Sequence, residues 1–246
     1  MTNHLTSHNL SYSAGRTCLL DRVSSCFSGG QINMLTGNNG AGKTTLLRLL
    51  AGFLKPDSGS ITMNDDKLSE LSLRELARRR AVLPQHDAIN TIFTVSEIVS
   101  FAELPFAYQS KQQAIKELKK EITEELEIKH LQDRLYQTLS GGEKQRVRLA
   151  RVILQAKLSR QETPWLMLDE PMSSLDWGHQ HKLLNYLRCL ATEGFGILAV
   201  LHDLNLVMQY ADEVCLLHNK RIFASGHSAD VLDENNMRDI FGKSYN

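Results

Sequence analysis

Short apolar runs with the alternating spacing of β-strands occupy the first quarter of the chain. They fall at residues 5–12, 18–27, 31–36 and 60–63. Gly29-Gly30 and the segment 56–59 separate them with residues that favour turns. The pattern predicts a β-rich edge around the glycine-rich segment that follows residue 36.

Helical spacing replaces the strand pattern in the middle of the chain. Residues 95–106 and 111–128 are both predicted to be helices. The second helix would place four apolar side chains on one face and many charges on the other: Ile115, Leu118, Ile122 and Leu126. This part of the sequence is therefore predicted to be a helical insert.

Buried strands return in the second half of the sequence. Continuous apolar runs at 165–168 and 196–201 are flanked by helical patterns, which is typical of parallel strands covered on both faces. From Asp212 onward, short apolar runs predict a hairpin followed by a small helix. The two halves are expected to close one α/β core around the helical insert.

A glycine-rich segment that matches G-x-x-x-x-G-K-[ST] links the apolar run 32–35 to a predicted helix at 44–53. Its glycines would let backbone N–H groups point at a polyanion, Lys43 would reach the β- and γ-phosphates, and the Thr44 hydroxyl would ligate Mg²⁺. The predicted helix would direct its positive end at the same phosphates. The sequence therefore predicts an ATP·Mg²⁺ site formed by Gly37, Asn38, Asn39, Gly40, Ala41, Gly42, Lys43, Thr44 and Thr45.

Two adjacent carboxylates follow the apolar run at 165–168. Neighbouring side chains on a strand point in opposite directions, so the two acids are expected to have different tasks. In an ATPase with this phosphate loop, Asp169 would hold Mg²⁺, and Glu170 would orient and deprotonate the water that attacks the γ-phosphate.

Composition narrows the classes of partner. Among the 246 residues, Lys plus Arg and Asp plus Glu both number 28, so the net charge is zero and direct work on nucleic acid is disfavoured. The polar start and the lack of any run near the roughly 18 apolar residues of a membrane span predict a cytosolic chain. The four cysteines form no C-x-x-C pair and are predicted to be small buried apolar residues.

A second glycine-rich helix start lies at residues 139–143. Ser140, Gly141 and Gly142 would present free N–H groups to an anion. One ATP has no use for two such helix ends from the same face, so this one is expected to bind the γ-phosphate held by another copy. With this motif the chain resembles the ATP-binding cassette ATPases, in which the Leu-Ser-Gly-Gly-Glu signature of one subunit completes the ATP site of its partner.

The resemblance covers essentially the whole chain and implies roles for further residues. Tyr12 would stack on adenine, and Gln85 would contact Mg²⁺ and the attacking water. Asp176 would cross the dimer interface, and His202 would hydrogen-bond the γ-phosphate.

The resemblance also implies the fold, which is a P-loop NTPase cassette of the α/β class. A β-rich antiparallel edge subdomain, a RecA-like core and a helical insert would form one ATPase domain over residues 1–246, with the core at 1–85 and 161–246 and the helical subdomain at approximately 86–160. Three positions depart from the family pattern, at Asn38 in place of a frequent proline, at Met172 in place of a frequent threonine, and at Trp177. None of these departures removes a phosphate, metal or water contact.

Blocks at 78–85, 179–181 and 199–218 most resemble the ATPases of haemin importers, within the larger group that imports iron-siderophores and cobalamin. Such a protein would work as a homodimer at the cytoplasmic face of the inner membrane, beneath two permease subunits, with a periplasmic haem-binding protein as an indirect partner. A loop at 88–94 would receive a short permease helix. An iron-siderophore or cobalamin importer, a cassette exporter, and a soluble ATPase of DNA repair or translation are the alternatives.

His179 and His181 invite a metal- or haem-ligand interpretation as well. Residues at i and i+2 on a helix point about 200° apart, so the two histidines are not expected to ligate one metal together.

Overall fold

The structure, a computed structural model, describes residues 3–85, 92–106, 112–159 and 164–242. Its strands are β1 (His4–Ala14), β2 (Thr17–Ser28), β3 (Ile32–Gly37), β4 (Ser58–Met63), β5 (Asp66–Lys67), β6 (Arg80–Leu83), β7 (Trp165–Asp169), β8 (Gly196–Val200), β9 (Glu213–His218) and β10 (Arg221–His227). Its α-helices are α1 (Lys43–Leu50), α2 (Leu73–Arg79), α3 (Val95–Ser100), α4 (Gln112–Glu125), α5 (Gly141–Leu158), α6 (Trp177–Thr192), α7 (Leu204–Tyr210), α8 (Ser228–Val231) and α9 (Glu234–Phe241).

An antiparallel sheet with the order β2-β1-β4-β5 forms one layer. Three of the runs predicted as N-terminal strands lie in it, and their buried apolar side chains pack beneath α1.

The prediction that all four cysteines are buried is wrong for three of them. Cys18 and Cys26 lie on the solvent-facing side of β2, and Cys189 lies on the outer side of α6. Only Cys215 is buried, because its strand β9 lies between two others, and this burial raises the pKa of its thiol to about 12.

A six-stranded sheet with the order β10-β9-β3-β8-β7-β6 forms the core, and all of it is parallel except β10. Every residue of β3, β7 and β8 is buried, as continuous apolar runs predict. The sequence pattern placed β3 in the β-rich edge, which is wrong, because a strand that is apolar on both faces needs cover on both faces. The edge strand β6 and the helix α2 were not predicted.

The helical insert packs around α5, which contacts α3, α4 and β6. The predicted helix at 95–106 is correct only for its first half, because the chain continues beyond α3 as a tighter 3-10 turn that contains Pro105, which has no N–H to donate. The predicted face of α4 is confirmed. Ile122 is buried on it, Ile115 and Leu118 are partly buried against the same core, and Leu126 is buried just beyond the helix, which ends at Glu125 before the predicted residue 128.

The C-terminal part forms the predicted hairpin from β9 and β10, followed by two short helices, α8 and α9, where one was expected. Within the described ranges, no helix combines the length and the apolar character that crossing a membrane requires.

Replacing Gly196 with alanine is expected to lower the free energy of unfolding by about 1–3 kcal/mol. An added Cβ would lie 2.5 Å from Cδ2 of the fully buried Trp165 ring on the adjacent strand. Gly178→Ala is the control, because its Cβ would meet only Oδ1 of Asp176, at 3.5 Å. Denaturant unfolding measures both variants, and equal losses of stability would contradict the packing argument.

Candidate nucleotide-binding and hydrolysis site

The predicted phosphate loop is a tight turn between β3 and α1. Gly37 and Gly42 have φ angles of 135° and 105°, in a region that glycine occupies without a Cβ clash. A Cβ on Gly42 would lie 2.7 Å from the carbonyl oxygen of Leu19, so the turn also packs closely against β2. The helix α1 begins at Lys43, and no described side chain caps its first N–H groups. Free N–H groups at a helix start favour an anion.

Lys43 is folded into this turn and is only 6% exposed. Its Nζ donates hydrogen bonds to the carbonyl oxygens of Gly37 at 2.8 Å and Asn38 at 2.9 Å. Burial lowers the pKa of the amine, and the carboxylates of Glu170 and Asp169 oppose that shift. The ammonium group is therefore held beside the helix start by two carbonyl groups, which an incoming phosphate would replace.

Thr44 and Asp169 meet beside the turn. The Thr44 hydroxyl donates to Oδ1 of Asp169 at 3.1 Å. Among the described residues, Oδ2 of Asp169 is buried without a hydrogen-bond partner, and burial raises the pKa of this carboxyl group. An unpartnered buried carboxylate oxygen beside a hydroxyl is a suitable place for a small cation, which prefers oxygen ligands.

Glu170 is contacted by residues from two neighbouring strand ends. Gln85 donates from Nε2 to Oε1 of Glu170 at 2.9 Å, and Nε2 of His202 lies 2.8 Å from the same oxygen. These residues follow β6, β7 and β8, whose carboxyl ends share one edge of the sheet. The φ angle of Glu170 is 50°, a left-handed conformation that is rare for a residue with a side chain and recurs at active sites.

Residues 140–142 lie at the start of α5. The Ser140 hydroxyl accepts from the N–H of Glu143 at 3.3 Å, and Oε2 of Glu143 accepts from the N–H of Ser140 at 2.7 Å. A Cβ on Gly142 would lie 2.9 Å from the carbonyl oxygen of Ser174. This second helix start therefore packs against the 173–176 loop, whereas the turn around Lys43 packs against β2.

Other predicted site residues lie around these two helix starts. Tyr12 is half-buried and pairs with Leu20, whose side chain approaches Gly42. Asn38 donates from Nδ2 to the carbonyl oxygen of Ile240 in α9 at 3.0 Å. In the turn, Asn39 and Gly40 are exposed and Ala41 is buried. Thr45 is half-buried in the first turn of α1, and Asp176 is exposed at the start of α6.

Two residues of α5 that the sequence analysis missed support the site through hydrogen bonds to the neighbouring segments. Gln145 is 3% exposed and donates from Nε2 to the carbonyl oxygen of Pro171 at 2.9 Å. Arg148 donates to Oε1 of Gln145 at 3.0 Å and also to the carbonyl oxygen of Pro84. They join α5 to the segments that carry Gln85 and Glu170. The available signal was a polar residue, Gln145, at helical spacing from the apolar positions of α5.

The core has a phosphate turn after a central strand and an Asp-Glu pair at the end of a nearby parallel strand, which together define a P-loop ATPase. The helical insert adds a second helix start that is suited to binding phosphate. A family model described as ABC transporter matches residues 20–173. The chain belongs to the ATP-binding cassette transporter family, as an ATP-hydrolysing subunit. This family implies use of ATP, pairing of two ATPase units and association with membrane subunits.

Relatives and solved structures agree with this family. The chain is 42% identical to the hemin import ATP-binding protein HmuV of Bordetella pertussis, over 97% of this chain and 92% of that protein. It is 38% identical to the protein of the same name from Aliivibrio fischeri, over 97% and 90%. A structure described as an ATP binding subunit of an ABC transporter has a TM-score of 0.81 at 25% identity, covering 97% of this chain and 93% of that one. An ATP-binding cassette in its ADP conformation gives 0.81 at 26% identity, covering 98% and 99%.

Proposed function

We propose that this chain hydrolyses ATP as one of two copies on the cytoplasmic face of the inner membrane and energises uptake of haemin. Two permease subunits would carry the haemin, and a periplasmic haem-binding protein would deliver it. The likeness to hemin import ATP-binding proteins over 97% of the chain supports the cargo. The meeting of Gln85 and His202 on one oxygen of Glu170 supports the hydrolytic chemistry.

ATP binding begins at the phosphate turn. The β- and γ-phosphates replace the carbonyl groups of Gly37 and Asn38 as partners of Lys43, while the first N–H groups of α1 donate to phosphate oxygens. The adenine ring stacks on Tyr12, which lies one strand away from the turn. The turn therefore supplies binding energy, and the chemical step depends on other residues.

Mg²⁺ would be held by the Thr44 hydroxyl and by Asp169, with the Gln85 amide oxygen as a further ligand. The unpartnered Oδ2 of Asp169 supports this arrangement. When bound there, Mg²⁺ supplies neutralisation of the charge on the β- and γ-phosphate oxygens.

Glu170 acts as the general base of hydrolysis. Its carboxylate orients a water molecule in line with the γ-phosphate and takes up the proton as the water attacks. His202 and Gln85 lie at hydrogen-bond distance from this carboxylate, next to which the γ-phosphate and the water would be bound. The reaction releases ADP and phosphate.

A second copy completes each site. Residues 140–142 of the partner present the N–H groups at the start of their α5 to the γ-phosphate that is held by Lys43. Closure of the two copies over ATP brings these groups together, and hydrolysis lets the copies separate. This cycle drives the permease.

The permease is proposed to dock on an apolar surface between α2 and the 3-10 turn Phe101–Phe106. Leu73 is 80% exposed and Leu104 is 68% exposed, although both are large and apolar. Nε of Arg78 donates to the carbonyl oxygen of Pro105 at 3.1 Å, which holds these two elements together. In the loop at 88–94 that is expected to receive a permease helix, residues 88–91 lie outside the described residues, and Ile92 is 79% exposed.

Leu104→Glu is expected to reduce transport about ten-fold or more while the isolated chain hydrolyses ATP at an unchanged rate. A charge on this surface opposes docking of an apolar permease helix, and the side chain lies outside the ATP site. Uptake in cells and ATPase activity in solution are measured side by side. Phe223→Glu is the control, because β10 lies at the opposite edge of the sheet from β6 and α2. Equal uptake by the two variants would contradict the placement of the permease.

Growth of iron-limited cells that lack this chain tests the cargo. Haemin or a ferric siderophore is offered to them as the iron source, cobalamin is offered separately to cells made dependent on it, and the chain or its Glu170→Gln variant is supplied from a plasmid. The proposal expects the parent chain alone to restore growth on haemin. Restoration only with a siderophore or only with cobalamin would replace haemin by that cargo.

A further inference from the structure

His179, the third residue of α6, links three parts of the molecule. Its Nδ1 lies 2.7 Å from Oδ2 of Asp176 in the 173–176 loop. Its Nε2 lies 3.1 Å from Nη1 of Arg146 in α5 and 3.4 Å from Oε2 of Glu127, just beyond α4. Glu127 is also paired with Lys182 of α6. The histidine therefore joins the loop beside the site to two parts of the helical insert, α5 and the segment that follows α4.

The contacts of the two ring nitrogens determine what this link can do. With a proton on Nδ1, the ring donates to Asp176 and its free Nε2 accepts from Arg146. A second proton on Nε2 would let that nitrogen donate to Glu127 instead of accepting from Arg146, whose guanidinium would then have to turn away. In both forms the ring connects the loop to the insert.

Both carboxylate oxygens of Asp176 contact His179. Oδ1 accepts from the backbone N–H of His179 at 2.9 Å, while Oδ2 meets the ring. These hydrogen bonds hold the pKa of Asp176 below its usual range. On the other side of the same loop, the carbonyl group of Ser174 packs against Gly142 at the start of α5. Movement of the insert would thus reach the loop at two points, at Asp176 through the His179 ring and at Ser174 through Gly142.

We propose that His179 is a positioning residue that sets the 173–176 loop by connecting Asp176 to the helical insert, and thereby controls the rate of ATP hydrolysis. This inference rests on the proposed site shared by two copies, in which Asp176 crosses to the partner. It assigns His179 no contact with ATP. The histidine acts through Asp176, so its loss should change turnover more than binding.

The test compares His179→Ala with His181→Ala in the purified full-length chain. His181 lies on the same helix but contacts Tyr210 and Trp177 instead, which makes it a matched control. We expect His179→Ala to lower kcat about ten-fold at an unchanged KM for ATP, and His181→Ala to stay within about two-fold of the parent in both. Rates are expressed per chain that binds nucleotide, so that partial misfolding does not lower kcat.

A second variant examines the other end of the link. Glu127 has a φ angle of 53°, which asparagine tolerates, so Glu127→Asn shortens the side chain without new backbone strain. It should also lower kcat, and the double variant should be no slower than His179→Ala alone. A parent-like kcat in His179→Ala, or a rise in KM without loss of kcat, would overturn the inference. If His179→Ala does not fold, a parent-like kcat in Glu127→Asn would do so.

Failure of the shared site itself would look different. The specific activity of the parent chain would then be independent of protein concentration, and ATP-loaded Glu170→Gln would remain single. Cooperative hydrolysis by the parent together with unaffected His179 variants would reject the positioning role alone.

Discussion

Glu170→Gln is expected to lower the rate of ATP hydrolysis by about 10²–10⁴-fold and to leave ATP affinity within about two-fold of the parent. The amide matches the carboxylate in size and can still bond to Gln85 and His202, but it cannot take a proton from water. Phosphate release measures turnover, and a fluorescent ATP analogue measures affinity. Glu193→Gln, a change at an exposed carboxylate beyond α6, is the control.

The affinity measurement decides how the result is interpreted. Lys43 and the start of α1 are unchanged in Glu170→Gln, so binding should persist and ATP should accumulate on the protein. Turnover at the parental rate would remove Glu170 from the role of general base. Loss of turnover together with loss of binding would indicate a structural defect in place of a chemical one.

Ser140→Phe is expected to be the other variant with a large effect, lowering hydrolysis by about 100-fold or more while a single chain still binds ATP. The aromatic ring would occupy the space in front of α5 into which the partner's γ-phosphate must fit. It would also remove the cap that Ser140 provides for its own helix, at a cost of about 1 kcal/mol.

Ser140→Ala separates these two effects. It loses the same cap and one hydroxyl group but adds no bulk, so we expect a loss of about ten-fold in hydrolysis. Hydrolysis and thermal unfolding are measured for both variants. Similar stability with very different turnover supports a phosphate in front of α5, whereas parental turnover in Ser140→Phe would exclude it.

Continuous apolar runs made β3, β7 and β8 predictable, because strands covered on both faces have no polar side. The phosphate turn was predictable because its glycines, Lys43 and Thr44 are adjacent in sequence. The edge strand β6 has only four residues and begins at the last of three consecutive arginines, so it carries no periodic signal. The helix α2 did carry a helix-start signal in its sequence, since Ser72 and Glu75 form a capping box.

Long-range contacts in the site had no local signal. Gln85, Glu170 and His202 come together because β6, β7 and β8 are neighbours, an order that sequence spacing does not encode. The left-handed backbone of Glu170 is likewise imposed by the surrounding fold, because its own residue type does not favour it. Exposure of Cys18 and Cys26 depended on the side of β2 that faces away from the core, which the cysteines themselves do not signal.

Mixing two inactive variants tests most directly whether the ATP site is shared between two copies. Lys43→Ala lacks the phosphate-binding amine and Ser140→Phe blocks the start of α5, so each variant alone should be inactive. In a mixed pair, the intact Lys43 of one copy faces the intact Ser140 of the other, and an equal mixture should recover about a quarter of the parental rate if pairing is random. A mixture that stays as inactive as its components would contradict a site built from two copies.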